Sequence, residues 1–160
     1  MDATTRRMVW AALWVFLADQ VSKAYVLYAL DLRQVLAVNF FPPFLQFRMA
    51  WNTGVNFGLF SGAEARWLLI AIAIGISFAV AFWLAREKPG RWGALSGGVL
   101  IGGALGNIVD RVIYGAVADF LNMSCCGINN PFSFNIADIA IFVGAVGLVL
   151  FTGEKKSAKP

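Results

Sequence analysis

Asp19, Asp110, Asp119 and Asp138 lie in or beside long apolar runs of a 160-residue chain that contains no histidine. A charge inside a membrane span costs about 2.5–3.5 kcal/mol on insertion scales, so its retention points to function. The absence of histidine excludes Ser-His-Asp and Cys-His nucleophilic catalysis, and every zinc site that needs imidazole. Two carboxylates converging in a partly dry site need none of these. Like charge and low dielectric separate their pKa values, so one acts as general base on a water while the other holds the shared proton and acts as general acid. The two cysteines, Cys125 and Cys126, are adjacent. They cannot close an ordinary low-strain bridge and form no CxxC motif, so they are expected to be loop residues without a catalytic role.

Each acid has polar neighbours at helical spacing. Asn107, Asp110 and Arg111 are three and four residues apart, as are Asp19, Ser22 and Lys23, and Asn135 and Asp138 are three apart. Such spacing places each group on one side of a helix, with the polar side turned to the bundle interior. Asp110 lies 19 residues past Arg91 and Asp138 lies 17 before Lys155. At about 1.5 Å per residue, both sit at nearly the same height at the outer ends of their spans. Asp119 falls in the apolar run 116–121, which is expected to fold back onto the membrane face at the same level. This arithmetic does not choose between Asp110 and Asp119 as the partner of Asp138. Asp19 reads as structural, with Lys23 one turn away.

The elements that must position these groups follow from composition. Hydrophobic residues make up 59% of the chain and charged residues only 14%, against about 25% charged in soluble domains; mean hydropathy is +0.70. Disorder is excluded. Four apolar segments, about 8–30, 67–85, 92–110 and 134–152, are each long enough to cross a bilayer core of about 30 Å. The fold class is therefore an all-α membrane protein: one domain over 1–160, four transmembrane helices, and outer loops at 31–66 and 111–133. Arg6 and Arg7 before the first segment resemble a secretory signal, but the apolar run continues past Asp19 without a small-residue cleavage site, so it reads as a retained span. Eight basic residues (Arg6, Arg7, Arg86, Lys88, Arg91, Lys155, Lys156 and Lys159) fall in the termini and the 86–91 loop. Both termini are therefore expected in the cytoplasm. The net charge of +4 is topological and no nucleic-acid footprint.

Within the first outer loop, Leu45, Phe47, Met49 and Trp51 alternate with polar or small residues, which predicts a strand with one apolar face. Asn52-Thr53-Gly54 reads as the turn that follows. The third span carries glycines at spacings of four, 93/97, 98/102 and 102/106, suited to close helix packing within one chain rather than between two. A monomer is expected.

Five blocks in order resemble the motif set of lipoprotein signal peptidases (signal peptidase II). They are Asp19-Gln20-Val21-Ser22-Lys23; Trp51-Asn52-Thr53-Gly54 with Phe57-Gly58; Gly102-Gly103-Ala104-Leu105-Gly106-Asn107 with Asp110-Arg111; Val117-Ala118-Asp119-Phe120; and Phe134-Asn135-Ile136-Ala137-Asp138. Ala118 stands where that family often has Val, and the Cys125-Cys126 pair matches no family motif. The resemblance implies a bacterial inner-membrane aspartic peptidase that cuts prolipoproteins before a diacylglyceryl-modified cysteine, with its active site at the outer face. It favours Asp119 as the partner of Asp138. It implies that Asn52, Asn107, Arg111, Asn135 and Asp110 order the site or hold substrate backbone, that Asp19 supports the bundle, and that the first outer loop forms a small substrate-cradling sheet. Lipidated prolipoproteins and membrane lipid are the implied partners, with no metal and no cofactor. A proton-coupled transporter is the rival class, but the acids cluster at one face instead of stepping across the bilayer, and no internal repeat is visible.

Overall fold

The structure, a computed structural model, describes residues 1–54, 63–124 and 130–153. The Phe57-Gly58 block, Cys125-Cys126 and the lysines at 155, 156 and 159 lie outside these residues. The Asp2 side chain accepts from the Thr5 N–H at 2.8 Å and caps α1, Ala3–Ala24. A π-helical turn, Tyr25–Ala29, continues it. A single helical turn α2, Leu32–Val35, leads into strands β1, Ala37–Phe41, and β2, Leu45–Asn52. Then follow α3, Ala63–Glu87; α4, Arg91–Tyr114; strand β3, Val117–Met123; and α5, Ile136–Thr152.

Helix α4 is the centre of the bundle because its glycines let two neighbours approach its backbone. Gly98, Gly102 and Gly106 face α1, and Gly103 faces α5. A Cβ on Gly102 would lie 2.5 Å from the Ala12 carbonyl oxygen, and one on Gly103 2.5 Å from that of Ala137. Gly144 of α5 returns the contact against the Leu100 backbone. The glycine spacing is thus used inside the chain, as small residues are in lipid. Away from these seams the helices present Trp67, Ile72, Ile76, Phe78, Phe142 and Val149 outward. So broad an apolar surface has no place in water. Helices α3 and α4 are each long and apolar enough to cross a bilayer.

The three strands form one antiparallel sheet in the order β1-β2-β3. It rests on the end of α1, where Val26, Leu27 and Leu32 are buried with Phe47, Ala118 and Phe120, and Met49 packs against them. Residues 45–52 are a strand, as the alternation predicts, and the apolar face of Phe47 and Met49 meets the helix end. Trp51 departs from that face. It is exposed, with its ring 5.5 Å from that of Tyr114.

The reason is a bulge in β2. Phe47 pairs with Leu121, but Ala50 pairs with Asp119 and Asn52 with Val117, a shift of one residue. A one-residue shift exchanges the two faces of a strand. The run 116–121, expected as a folded-back loop, is mostly strand β3, and β1 is an addition to the expected elements. Helix α4 also continues past the expected boundary at 110, so that Arg111 is helical.

Candidate active site

Three elements converge at the sheet end of the bundle. Helix α5 begins with a capping box: the Asn135 side chain accepts from the Asp138 N–H at 2.9 Å, and the Asp138 carboxylate accepts from the Asn135 N–H at 3.2 Å. An acid in the first turn of a helix is held by the unpaired N–H groups and the dipole there. Asn135 is therefore the cap before the helix instead of a residue on its face. This fixes Asp138 at the mouth of α5.

Gly115 ends α4 with φ +81°, a left-handed conformation that glycine adopts without strain. The chain then turns at once into β3, which carries Asp119. From the neighbouring strand Asn52 Nδ2 donates to Asp119 Oδ2 at 3.0 Å. Gly54, at φ +79°, donates its N–H to Asn52 Oδ1 at 2.8 Å, and this turn orients the amide.

Asn135 joins the two carboxylates. Its Nδ2 donates to Asp119 Oδ1 at 2.6 Å while its backbone N–H serves Asp138. Asn107 Nδ2 donates to the other oxygen of Asp138 at 2.9 Å. Asp119 is buried and Asp138 half-buried. Burial pushes the Asp119 carboxyl up to about 6, and the nearby Asp138 charge pushes in the same direction; the bonds from Asn52 and Asn135 oppose it. A carboxyl that holds its proton beside another carboxylate is the arrangement needed for acid–base hydrolysis.

Asp110 and Asp19 lie one layer deeper. Both are fully buried, and both contact Lys23: Nζ lies 2.7 Å from Asp19 Oδ2 and 2.8 Å from Asp110 Oδ2. Asp110 also accepts from the Ala118 N–H at 3.1 Å, and Asp19 from the Ala137 N–H at 3.0 Å. These two acids therefore tie β3 and α5 to α1 and α4. The partner of Asp110 is Lys23, not the adjacent Arg111. Gln20 Nε2 reaches both Asp19 and Asp110, at 3.1 and 3.3 Å. Its position one residue after Asp19 gave no reason to single it out.

Arg111 Nη1 donates to the Asn107 carbonyl at 3.2 Å. Its Nε is buried and, among the described residues, has no partner. Asn107 and Arg111 also line a groove of about 270 Å³ between α3, α4 and α5, whose other walls include Leu69, Ile72, Leu100 and Ile141. No group of three or more potential metal ligands occurs among the described residues.

A family model described as signal peptidase (SPase) II matches residues 11–153. A lipoprotein signal peptidase of Shewanella loihica is 40% identical over 157 residues, covering 96% of this chain and 89% of that protein. One of Xanthomonas euvesicatoria is 40% identical over 157 residues, covering 95% and 90%. A solved structure described as a bacterial membrane enzyme superposes with a TM-score of 0.76 at 27% identity, covering 96% of this chain and 93% of the other.

Proposed function

The chain belongs to the signal peptidase (SPase) II family, and from that premise we propose that it is an aspartic endopeptidase of the bacterial inner membrane that removes signal peptides from prolipoproteins. Asp119 and Asp138 are the catalytic pair. The observation that carries this reading is the single asparagine, Asn135, that holds both carboxylates. The proton shared by the pair resides preferentially on Asp119, the more deeply buried member. The ionised partner takes a proton from a water as that water attacks the scissile carbonyl, and the protonated acid donates to the developing oxyanion; the first carboxyl then delivers the water's proton to the leaving amine while the diol hydroxyl returns a proton to the second.

Asn52 donates to Asp119, and the Arg111 guanidinium lies beside the turn at Gly54, near enough to feel the charges of both Asp138 and Asp119. Arg111 Nε, buried and unpartnered among the described residues, is suited to donate to a backbone carbonyl of the substrate, since an unsatisfied buried donor gains most from a new acceptor. The apolar groove beside it suits the apolar stretch of a signal peptide or an acyl chain. Asp19 and Asp110 hold the surrounding elements.

Helices α1, α3, α4 and α5 are read as four spans. Asp2 at the start of α1 and Lys88 after α3 meet at 3.6 Å, so the N-terminus and the α3–α4 turn share one end of the bundle. That end carries Arg6, Arg7, Arg86 and Arg91 as well, and by the positive-inside rule it is cytoplasmic. The sheet and the carboxylate pair then lie at the outer face. The cut before the lipidated cysteine is what the family resemblance implies, and a diacylglyceryl group on that residue would fix the substrate's depth at the interface.

The test is incubation of the purified protein with a lipidated prolipoprotein peptide. The expected product begins at the diacylglyceryl-cysteine, identified by mass. Absence of cleavage, or cleavage elsewhere, contradicts the reading.

A further inference from the structure

Lys23 lies in the first span, eighty-odd residues from two of the three groups it meets. Its side chain is 3% exposed. Its ammonium donates to Asp19 Oδ2 at 2.7 Å, forms an ion pair with Asp110 Oδ2 at 2.8 Å and donates to Asn107 Oδ1 at 3.3 Å. The first two bonds explain how a buried cation is tolerated, since it is matched by two buried anions. The third does something different. It fixes which end of the Asn107 amide faces which neighbour.

Asn107 stands between a cation and an anion. Its Oδ1 accepts from Lys23 and from Asn135 Nδ2, both at 3.3 Å, and its Nδ2 donates to Asp138 Oδ1 at 2.9 Å. Rotating the amide by half a turn would set its NH2 against the ammonium and its carbonyl against the carboxylate. Both contacts would be repulsive. The orientation that presents a donor to Asp138 is therefore imposed by Lys23. Without the cation, Asn107 has a neutral neighbour on one side and loses half of what forbids the rotation.

We infer that Lys23 is a positioning residue for the proteolytic reaction, acting through Asn107 to hold a hydrogen-bond donor on Asp138. The inference rests on the assignment of Asp138 to the catalytic pair. The charged groups that meet the ammonium are Asp19 on its own helix and Asp110 on α4, and Asp119 on β3 lies near enough to feel its charge. Asp19 and Asp110 take the ammonium directly, so a substitution at Lys23 must be made with the charge balance kept. Lys23→Met alone strands two buried carboxylates and threatens folding. The double variant Asp19→Asn/Lys23→Met removes one anion with the cation, and Asp110 keeps its bonds from Gln20 and the Ala118 N–H.

The experiment measures cleavage of a lipidated prolipoprotein peptide by wild type, Asp19→Asn/Lys23→Met, Asn107→Ala, the triple combination, Asp19→Asn alone and Asp138→Asn. The double variant is expected to lose kcat roughly ten- to a hundredfold with KM little changed, the scale of one lost charge-assisted hydrogen bond. Asp19→Asn alone should lose much less. Because Lys23 acts through Asn107, the triple combination should lose no more than Asn107→Ala alone. A double variant with wild-type kcat overturns the inference. So does a triple variant whose loss is the product of the separate losses, or a double variant that changes only KM or only the yield of folded protein. An active Asp138→Asn protein instead overturns the assignment of the pair, and that outcome is distinct from failure at Lys23.

Discussion

Asn52 donates to Asp119 across the sheet at 3.0 Å, and it does so because a bulge in β2 turns it, in place of Trp51, onto the face that Asp119 occupies. The bond favours the ionised form of a carboxyl that burial has pushed up to about 6.

The first prediction concerns pH. The pair needs one shared proton, so kcat/KM should fall as pH rises through about 6, where Asp119 loses it. Asn52→Ala removes a bond to the ionised form, so the proton is held more tightly and this limb should move to higher pH. Turnover should fall as well. A pH–rate profile for both proteins checks this; a limb that stays in place or moves to lower pH contradicts the assignment.

A second prediction separates packing from chemistry. A Cβ at Gly106 collides with the Asp19 carboxylate, whereas one at Gly75 of α3 meets nothing within 4 Å. Gly106→Ala should destabilise by about 1–3 kcal/mol, the usual range for overpacking, and should disturb the ion cluster beneath the site. Gly75→Ala should be neutral or stabilising, since alanine is the better helix former. Thermal melts in detergent measure both.

Much of this arrangement was legible in the sequence, and the illegible part has a common cause. The long helices follow from apolar runs and β2 from alternation, because these depend on neighbours within a turn or two; the spacing of Asn135 and Asp138 reads as one helix face, whereas Asn135 is the cap before that helix. Strand β3 reads as an apolar loop, because Val117-Ala118-Asp119-Phe120-Leu121 does not alternate; its pairing with β2 decides its conformation. The bulge that exchanges Trp51 for Asn52 is a property of that pairing too. Lys23 reads as the partner of Asp19 at i, i+4, which it is. Its bonds to Asn107 and Asp110 depend on how closely α1 approaches α4 at Gly102 and Gly106, a distance no local pattern carries.

Topology gives a third prediction. In a background with Cys125 and Cys126 replaced by serine, a cysteine at Lys88 should react with a membrane-impermeant thiol reagent only from the cytoplasmic side. A cysteine at exposed Phe40 of β1 should react from the outside. The opposite pattern inverts the orientation.

Lipid dependence is the fourth. Burying acyl chains is worth about 0.8 kcal/mol per CH₂, so a diacylglyceryl group both recruits the peptide and sets its depth. The unlipidated peptide of the same sequence should be cleaved very poorly. Equal processing of the two forms would contradict the assignment of prolipoproteins as substrates.

The most direct measurement is the cleavage rate of Asp119→Asn and Asp138→Asn on the lipidated peptide, each confirmed as folded by its thermal melt. Either substitution removes the base or the shared proton while barely changing volume. Both variants are expected to melt as folded protein and to yield no cleavage above background. Wild-type turnover in either one would contradict the two-carboxylate mechanism.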